Sequence, residues 1–126
     1  MPKLTLISVV EDDRPFRDSM RKLMASLGYT VEAFPSAADF LASPLLAQTA
    51  CLVADVNMPG MTGPELHKHL VEGGYAIPTI LVTAYPDDTV KARALKDGVL
   101  CYLPKPVDDH DLEECVRFAL AADETR

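Results

Sequence analysis

The sequence predicts an α/β domain, a doubly wound five-stranded parallel sheet flanked by five helices. Three observations predict it. Short apolar runs alternate with longer stretches of helical period, which yields five successive strand–helix units. The first, third and fourth runs are apolar on both faces, as strands covered by helices on two sides must be. The length, 126 residues, suits one domain with a real core, and no repeat, low-complexity tract or linker divides it. Because parallel crossovers are nearly always right-handed, helices on both faces of one sheet are the simplest way to wind these units.

Taken in order, residues 4–10 form the first strand, ended by three acids. Residues 15–27 follow as a helix. Phe16, Met20, Leu23, Met24 and Leu27 recur at helical spacing as one buried stripe, and Gly28 stops it. Residues 29–34 are a short second strand. Ser36 starts the next helix with Asp39 three positions on, and Pro44 ends it or opens an irregular connection. Residues 50–54 form the third strand, running into Asp55. A Pro59-Gly60 turn and Thr62 lead to a helix around Leu66 and Leu70, closed by Gly73 and Gly74. Residues 79–82 make the fourth strand, 87–96 a helix stopped by Gly98, and 99–103 the fifth strand. Asp108 or Asp109 caps the last helix, whose stripe is Leu112, Cys115, Val116 and Ala119.

Hydrophobic residues make up 48% and charged residues 25%, the balance of a soluble globular protein. A formal net charge of −7 repels phosphate backbones and anionic lipid, which sets nucleic-acid and membrane binding aside. No apolar run approaches the roughly 20 residues of a membrane span. The N-terminus lacks a signal-peptide pattern. Cys51, Cys101 and Cys115 have neither C-x-x-C spacing nor a nearby His cluster; two of them lie in apolar runs and read as small core residues, and all three suit a reducing cytoplasm better than disulfide or zinc roles. His67 and His69, two apart on a helix, and His110 near a helix start read as solvent-facing.

In a doubly wound sheet the ligand crevice lies beyond the carboxyl ends of the strands. Just past those ends stand Glu11, Asp12 and Asp13, then Asp55, Thr83 and Lys105. One crevice therefore collects several carboxylates, a hydroxyl and an ammonium. Two carboxylates about 4 Å apart repel by roughly 4 kcal/mol at an effective dielectric near 20, so protons, a cation or the lysine must offset the repulsion. Oxygen ligands without Cys or His favour Mg²⁺ or Mn²⁺ over zinc.

Four blocks carry a family resemblance: Val9-Val10-Glu11-Asp12-Asp13, Val53-Ala54-Asp55-Val56-Asn57-Met58-Pro59-Gly60, Val82-Thr83-Ala84 and Leu103-Pro104-Lys105-Pro106. In order and spacing, over essentially the whole chain, they resemble the signature blocks of response-regulator receiver domains of two-component signalling. Pro15-Phe16-Arg17-Asp18-Ser19 and Lys105-Pro106-Val107 are most similar to the FixJ-type branch. The resemblance implies a flavodoxin-like sheet of order 2-1-3-4-5. It implies that Asp55 is the phosphoacceptor, attacking phosphorus supplied by a kinase phosphohistidine or a small acyl phosphate. Asp12, Asp55 and the backbone carbonyl of Asn57 are implied as ligands of Mg²⁺, or of Mn²⁺, with Glu11 acting through a water. Many relatives carry Asp where Glu11 stands. Asp13, one position later, fits the N-cap of the first helix.

By the same resemblance Lys105 neutralises an equatorial phosphoryl oxygen, and Thr83 donates its hydroxyl to another. Tyr102 matches the aromatic switch position, turning inward when the threonine moves toward phosphate. That motion alters the face formed by the fourth helix, fifth strand and fifth helix. Val90, Ala94 and Phe118 fit either that face or helix packing. The Lys105–Pro106 bond is often cis in the family. Asn57 and Tyr85 border the path of attacking water, and bulky Tyr85 is expected to shield the acyl phosphate.

The function so implied is that of a receiver phosphorylated by a sensor histidine kinase or phosphotransfer protein. It switches partner binding, or a homodimer, through the face just described. Self-catalysed phosphotransfer and autodephosphorylation are expected, not enzymatic turnover. The expected setting is the cytoplasm, without direct contact to nucleic acid or membrane. Residues 1–126 are read as one receiver domain with no output domain in this chain, whereas FixJ-type relatives usually carry a DNA-binding domain. Two rival readings remain. An aspartate-based phosphatase resembles a D-x-D pattern with a general acid at the second Asp, where Asn57 cannot transfer a proton. A receiver-like scaffold that takes no phosphate has no need of the residues that are all present here.

Overall fold

A computed structural model describes residues 5–124. The strands are β1 (Leu6–Val10), β2 (Thr30–Phe34), β3 (Thr49–Asp55), β4 (Thr79–Thr83) and β5 (Cys101–Pro104). They alternate with helices α1 (Arg14–Ser26), α2 (Ala37–Leu41), α3 (Gly63–Glu72), α4 (Asp88–Lys96) and α5 (Asp109–Glu124). All pairings are parallel and the order is β2-β1-β3-β4-β5. This is the doubly wound, flavodoxin-like sheet expected. Leu4, assigned to the first strand by its pattern, lies outside the described residues.

Each face of the sheet carries its own core. Val10, Leu52, Ala54 and Leu81 pack with Phe40 of α2, Leu66 and Leu70 of α3 and Ala94 of α4. On the other face Ile7, Val9, Val53, Ile80 and Val82 pack with Met20 and Met24 of α1 and with Leu112, Val116 and Ala119 of α5. Every residue of β1, β3 and β4 is buried, which is why those runs lack the polar alternation of a half-exposed strand. At the edge, β2 is only half-buried.

Caps fix where the helices begin. The Asp13 carboxylate accepts the Phe16 N–H at 3.0 Å, so Asp13 is the N-cap of α1, as expected. Ser36 accepts from Asp39 N–H, and α2 lasts only five residues before Pro44. Asp108, rather than Asp109, accepts the Asp111 N–H at 3.0 Å and caps α5.

The irregular connection expected around Pro44 contains a 3₁₀ turn, Leu46–Gln48. Three details depart from the sequence pattern. The fifth strand begins at Cys101 because Val99 N–H closes the end of α4 on Ala94 O, with Gly98 at φ +104°. Leu27, at the end of the α1 stripe, is exposed. His67 is not solvent-facing: it is buried, while His69 and His110 are exposed. The reason is tertiary, since the α3 face carrying His67 lies beside α4, within reach of the charge of Asp97. Burial pushes the His67 imidazole below its ordinary value, against the pull of that carboxylate. Of the residues left between face and packing, Ala94 is buried, Val90 packs partly against the core and Phe118 is exposed.

The three cysteines are free thiols. Burial, with Cys115 alongside, pushes the Cys101 thiol up to about 12.

Gly63 sets how closely α3 approaches the sheet. A Cβ there would meet the Asp55 carbonyl oxygen at 2.5 Å and Leu81 Cδ2 at 2.9 Å. Gly63→Ala is therefore expected to destabilise the domain by about 1 to 3 kcal/mol, the usual range for overpacking. Urea denaturation measures it, and an unchanged midpoint would contradict the close approach.

Candidate functional site

Strand register assembles the site. Val10 pairs with Ala54, Asp55 with Val82, and Thr83 with Pro104, so the carboxyl ends of β1, β3, β4 and β5 share one edge. The residues beyond them meet there. Lys105 Nζ lies 2.6 Å from Glu11 Oε1 and 3.2 Å from Asp55 Oδ1. Glu11, Asp12 and Asp55 each offer a carboxylate oxygen within 4.8 Å of the others. Glu11 and Asp55 are buried and Asp12 is exposed, so the cluster opens to solvent on the Asp12 side.

Thr83 is fully buried. Its Oγ1 accepts from Asn57 Nδ2 at 3.2 Å and from Tyr85 N–H at 3.0 Å, while its carbonyl accepts from Lys105 N–H at 2.7 Å. The peptide bond between Lys105 and Pro106 is cis. Tyr102 is buried, and its hydroxyl accepts the Asp87 N–H at 3.2 Å. Asp87 is the N-cap of α4, so this bond ties β5 to the start of that helix. Tyr85 stands apart from the packed residues, 77% exposed.

Burial lifts the Asp55 carboxyl above the usual carboxylate range, against the pull of the neighbouring ammonium. Burial likewise lifts Glu11, opposed by Lys105 and by the Asp13 N–H on its carboxylate at 3.1 Å. On Lys105 burial acts downward, but Glu11 and Asp55 outweigh it and hold the ammonium above its ordinary value. One ammonium faces three carboxylates. The set is all oxygen and carries surplus negative charge, so it fits a hard divalent cation.

Comparison with known proteins assigns the chain to a family. Residues 7–117 match the family described as the response regulator receiver domain. The chain belongs to that family. The transcriptional regulatory protein TdiR of Thauera aromatica is 37% identical over 115 residues, which cover 91% of this receiver and 51% of TdiR. The transcriptional regulatory protein FixJ of Azorhizobium caulinodans is 36% identical over 120 residues, covering 95% of the receiver and 57% of FixJ. A crystal structure of FixJ-N superposes with a TM-score of 0.83 at 29% identity, covering 93% of the receiver and 94% of that chain. The receiver spans about half the length of the curated relatives it matches. Domains of this family are generally not turnover enzymes. Among the described residues no helix is long and apolar enough to cross a membrane.

The acids, the threonine and the lysine converge from the strand ends, and two further contacts beside them have no counterpart in the sequence reading. Arg17 Nη1 donates to the Glu11 carbonyl at 2.8 Å, and Lys105 Nζ sits 4.2 Å from the centre of the Phe16 ring. Phe16 read as part of the α1 stripe and of the FixJ-type block, with no task at the site. Its position one helical turn from the acid pair was the available signal.

The raised carboxyls carry a pH consequence. Between the ordinary carboxylate range and the raised values, the folded receiver holds protons that the unfolded chain has released, so this pair makes stability fall as pH rises. A cation requires the ionised forms and displaces those protons. Mg²⁺ affinity, followed by backbone NMR shifts from about pH 5 to about pH 8, is therefore expected to rise and then level off. Affinity independent of pH would contradict the shifts.

Proposed function

We propose that Asp55 accepts a phosphoryl group and that this receiver works as the phosphorylation-controlled module of a two-component pathway. What carries the reading is the convergence of Glu11, Asp12 and Asp55 within 4.8 Å, with Lys105 3.2 Å from Asp55. A carboxylate oxygen of Asp55 attacks phosphorus, the P–N bond of a donor phosphohistidine breaks, and the imidazole keeps the electron pair. The product is an acyl phosphate. Asp12, Asp55 and the Asn57 carbonyl hold Mg²⁺, with Glu11 acting through a water, and Mn²⁺ suits the same oxygens. When bound, the ion neutralises charge on the phosphoryl oxygens. Lys105 exchanges its contact with Asp55 for an equatorial phosphoryl oxygen.

Thr83 supplies the other protein donor. Its Oγ1 accepts two hydrogen bonds, which leaves the hydroxyl proton to give to a phosphoryl oxygen. Movement of Thr83 toward phosphate pulls on the Tyr85 N–H and so on the β4–α4 connection. The same segment meets Tyr102 through Asp87, which gives Tyr102 its switch role over α4, β5 and α5. The output is a population shift on that face, governing partner binding or a homodimer. A sensor histidine kinase or phosphotransfer protein is the donor, in the cytoplasm. Residues 1–126 act as one receiver, and autodephosphorylation returns it to rest.

The test is incubation with acetyl phosphate and Mg²⁺. One phosphoryl group per chain, removed by hydroxylamine as an acyl phosphate must be, supports the reading. No uptake, or sustained turnover of p-nitrophenyl phosphate, refutes it. Tyr85 and Asn57 are assigned to signal lifetime. Tyr85→Ala is expected to lose phosphate about 3-fold to 10-fold faster than the wild type, the equivalent of roughly 1 kcal/mol in the barrier. An unchanged decay rate would remove the shielding role.

A further inference from the structure

The segment from Glu11 to Arg17 is tied down by interactions that phosphoryl chemistry does not itself require. Glu11 N–H donates to Phe34 O at 3.0 Å, and Glu11 Oε2 accepts from Asp13 N–H at 3.1 Å. Arg17 Nη1 donates to Glu11 O at 2.8 Å and, more weakly, toward Asp12 O at 3.4 Å. A guanidinium shared by two successive carbonyls holds the peptide between them, the backbone from which both carboxylates project. The neighbouring residue, Phe16, meets the lysine of the site. The Phe16 ring lies 4.2 Å from Lys105 Nζ, an ammonium that also contacts Glu11 at 2.6 Å and Asp55 at 3.2 Å. A ring face attracts a cation and leaves its donors free for oxygen atoms.

We propose that the first turn of α1 holds two positioning residues with separate tasks: Arg17 orients the acid pair toward a divalent cation, and Phe16 holds the Lys105 ammonium for an incoming phosphoryl group. This rests on the phosphoacceptor reading above. Neither residue touches the reacting atoms. Arg17 acts through the backbone of Glu11 and Asp12, so its removal weakens cation binding. Phe16 acts through Lys105, so its removal weakens binding of the anion after the cation is in place. A purely structural role for the turn would weaken both steps together.

The experiment separates the steps in the intact chain. Mg²⁺ affinity is measured by backbone NMR shifts, then beryllofluoride affinity at saturating Mg²⁺, for wild type, Arg17→Gln, Arg17→Lys, Phe16→Leu and Phe16→Tyr. Arg17→Gln is expected to weaken Mg²⁺ about tenfold, as loss of a group supporting metal ligands does, with beryllofluoride binding within about twofold. Arg17→Lys keeps the charge without the fork and is expected to fall between. Phe16→Leu is expected to leave Mg²⁺ within about twofold and weaken beryllofluoride about threefold to tenfold, with Phe16→Tyr restoring it. Parallel losses of both ligands, or no change in either, would overturn the proposal. Failure of wild type to bind beryllofluoride would instead strike the phosphoacceptor reading, and the effect of Arg17→Gln on Mg²⁺ would still decide the Arg17 assignment.

Discussion

Asp55→Asn is expected to abolish phosphoryl uptake from acetyl phosphate while raising the stability of the cation-free receiver by about 1 kcal/mol. The two effects have one cause. Asp55 is 5% exposed, and burial disfavours its ionised form even with Lys105 at 3.2 Å. An amide of the same shape removes one of three crowded carboxylates and frees the ammonium for Glu11, already its nearer partner at 2.6 Å. An amide is also no nucleophile toward phosphorus. Mass measurement after acetyl phosphate treatment checks the first effect, and urea denaturation in EDTA checks the second. Residual stoichiometric phosphorylation would move the acceptor elsewhere, and a large loss of stability would show that the ionised carboxylate holds the fold together.

Lys105→Ala is expected to act in the opposite direction, destabilising the cation-free receiver by about 3 kcal/mol at neutral pH, the low end for breaking a buried ion pair. The side chains of Glu11 and Asp55 are only 2% and 7% exposed, and Lys105 touches both. Without the ammonium two buried carboxylates face each other with little solvent to screen them. The loss should shrink as pH falls, because the carboxyls, already raised by burial, then take up protons. Mg²⁺ should recover part of it by supplying positive charge. Urea denaturation at about pH 5 and about pH 7, with and without Mg²⁺, gives all three comparisons. A loss independent of both pH and Mg²⁺ would assign the effect to something other than the charge of the lysine, such as its lost contact with the Phe16 ring.

The elements were legible where one local signal dominated. Largely apolar runs at β1, β3 and β4, a capping Asp13 and a stopping Gly28 need only near neighbours to act. The same holds for the strand ends: Asp55 and Thr83 are the last residues of their strands, and Glu11 and Lys105 each follow one immediately. The pattern failed where a distant group decides. Val99 looks like strand but closes the end of α4, and His67 looks like surface but lies beside α4.

The sequence by itself determined the order of strands and helices, the hard-oxygen character of the site and which side chains stand at the strand ends, because these follow from period, capping and position along the chain. Only the tertiary structure decided that Lys105 bonds Glu11 more closely than Asp55, that Asn57 and Tyr85 share the Thr83 hydroxyl, and that Arg17 bonds the Glu11 carbonyl while Phe16 lies against the Lys105 ammonium. Those facts depend on parallel register, which joins residues up to 94 positions apart at one edge, and on burial, which removes the water that would otherwise loosen every charge.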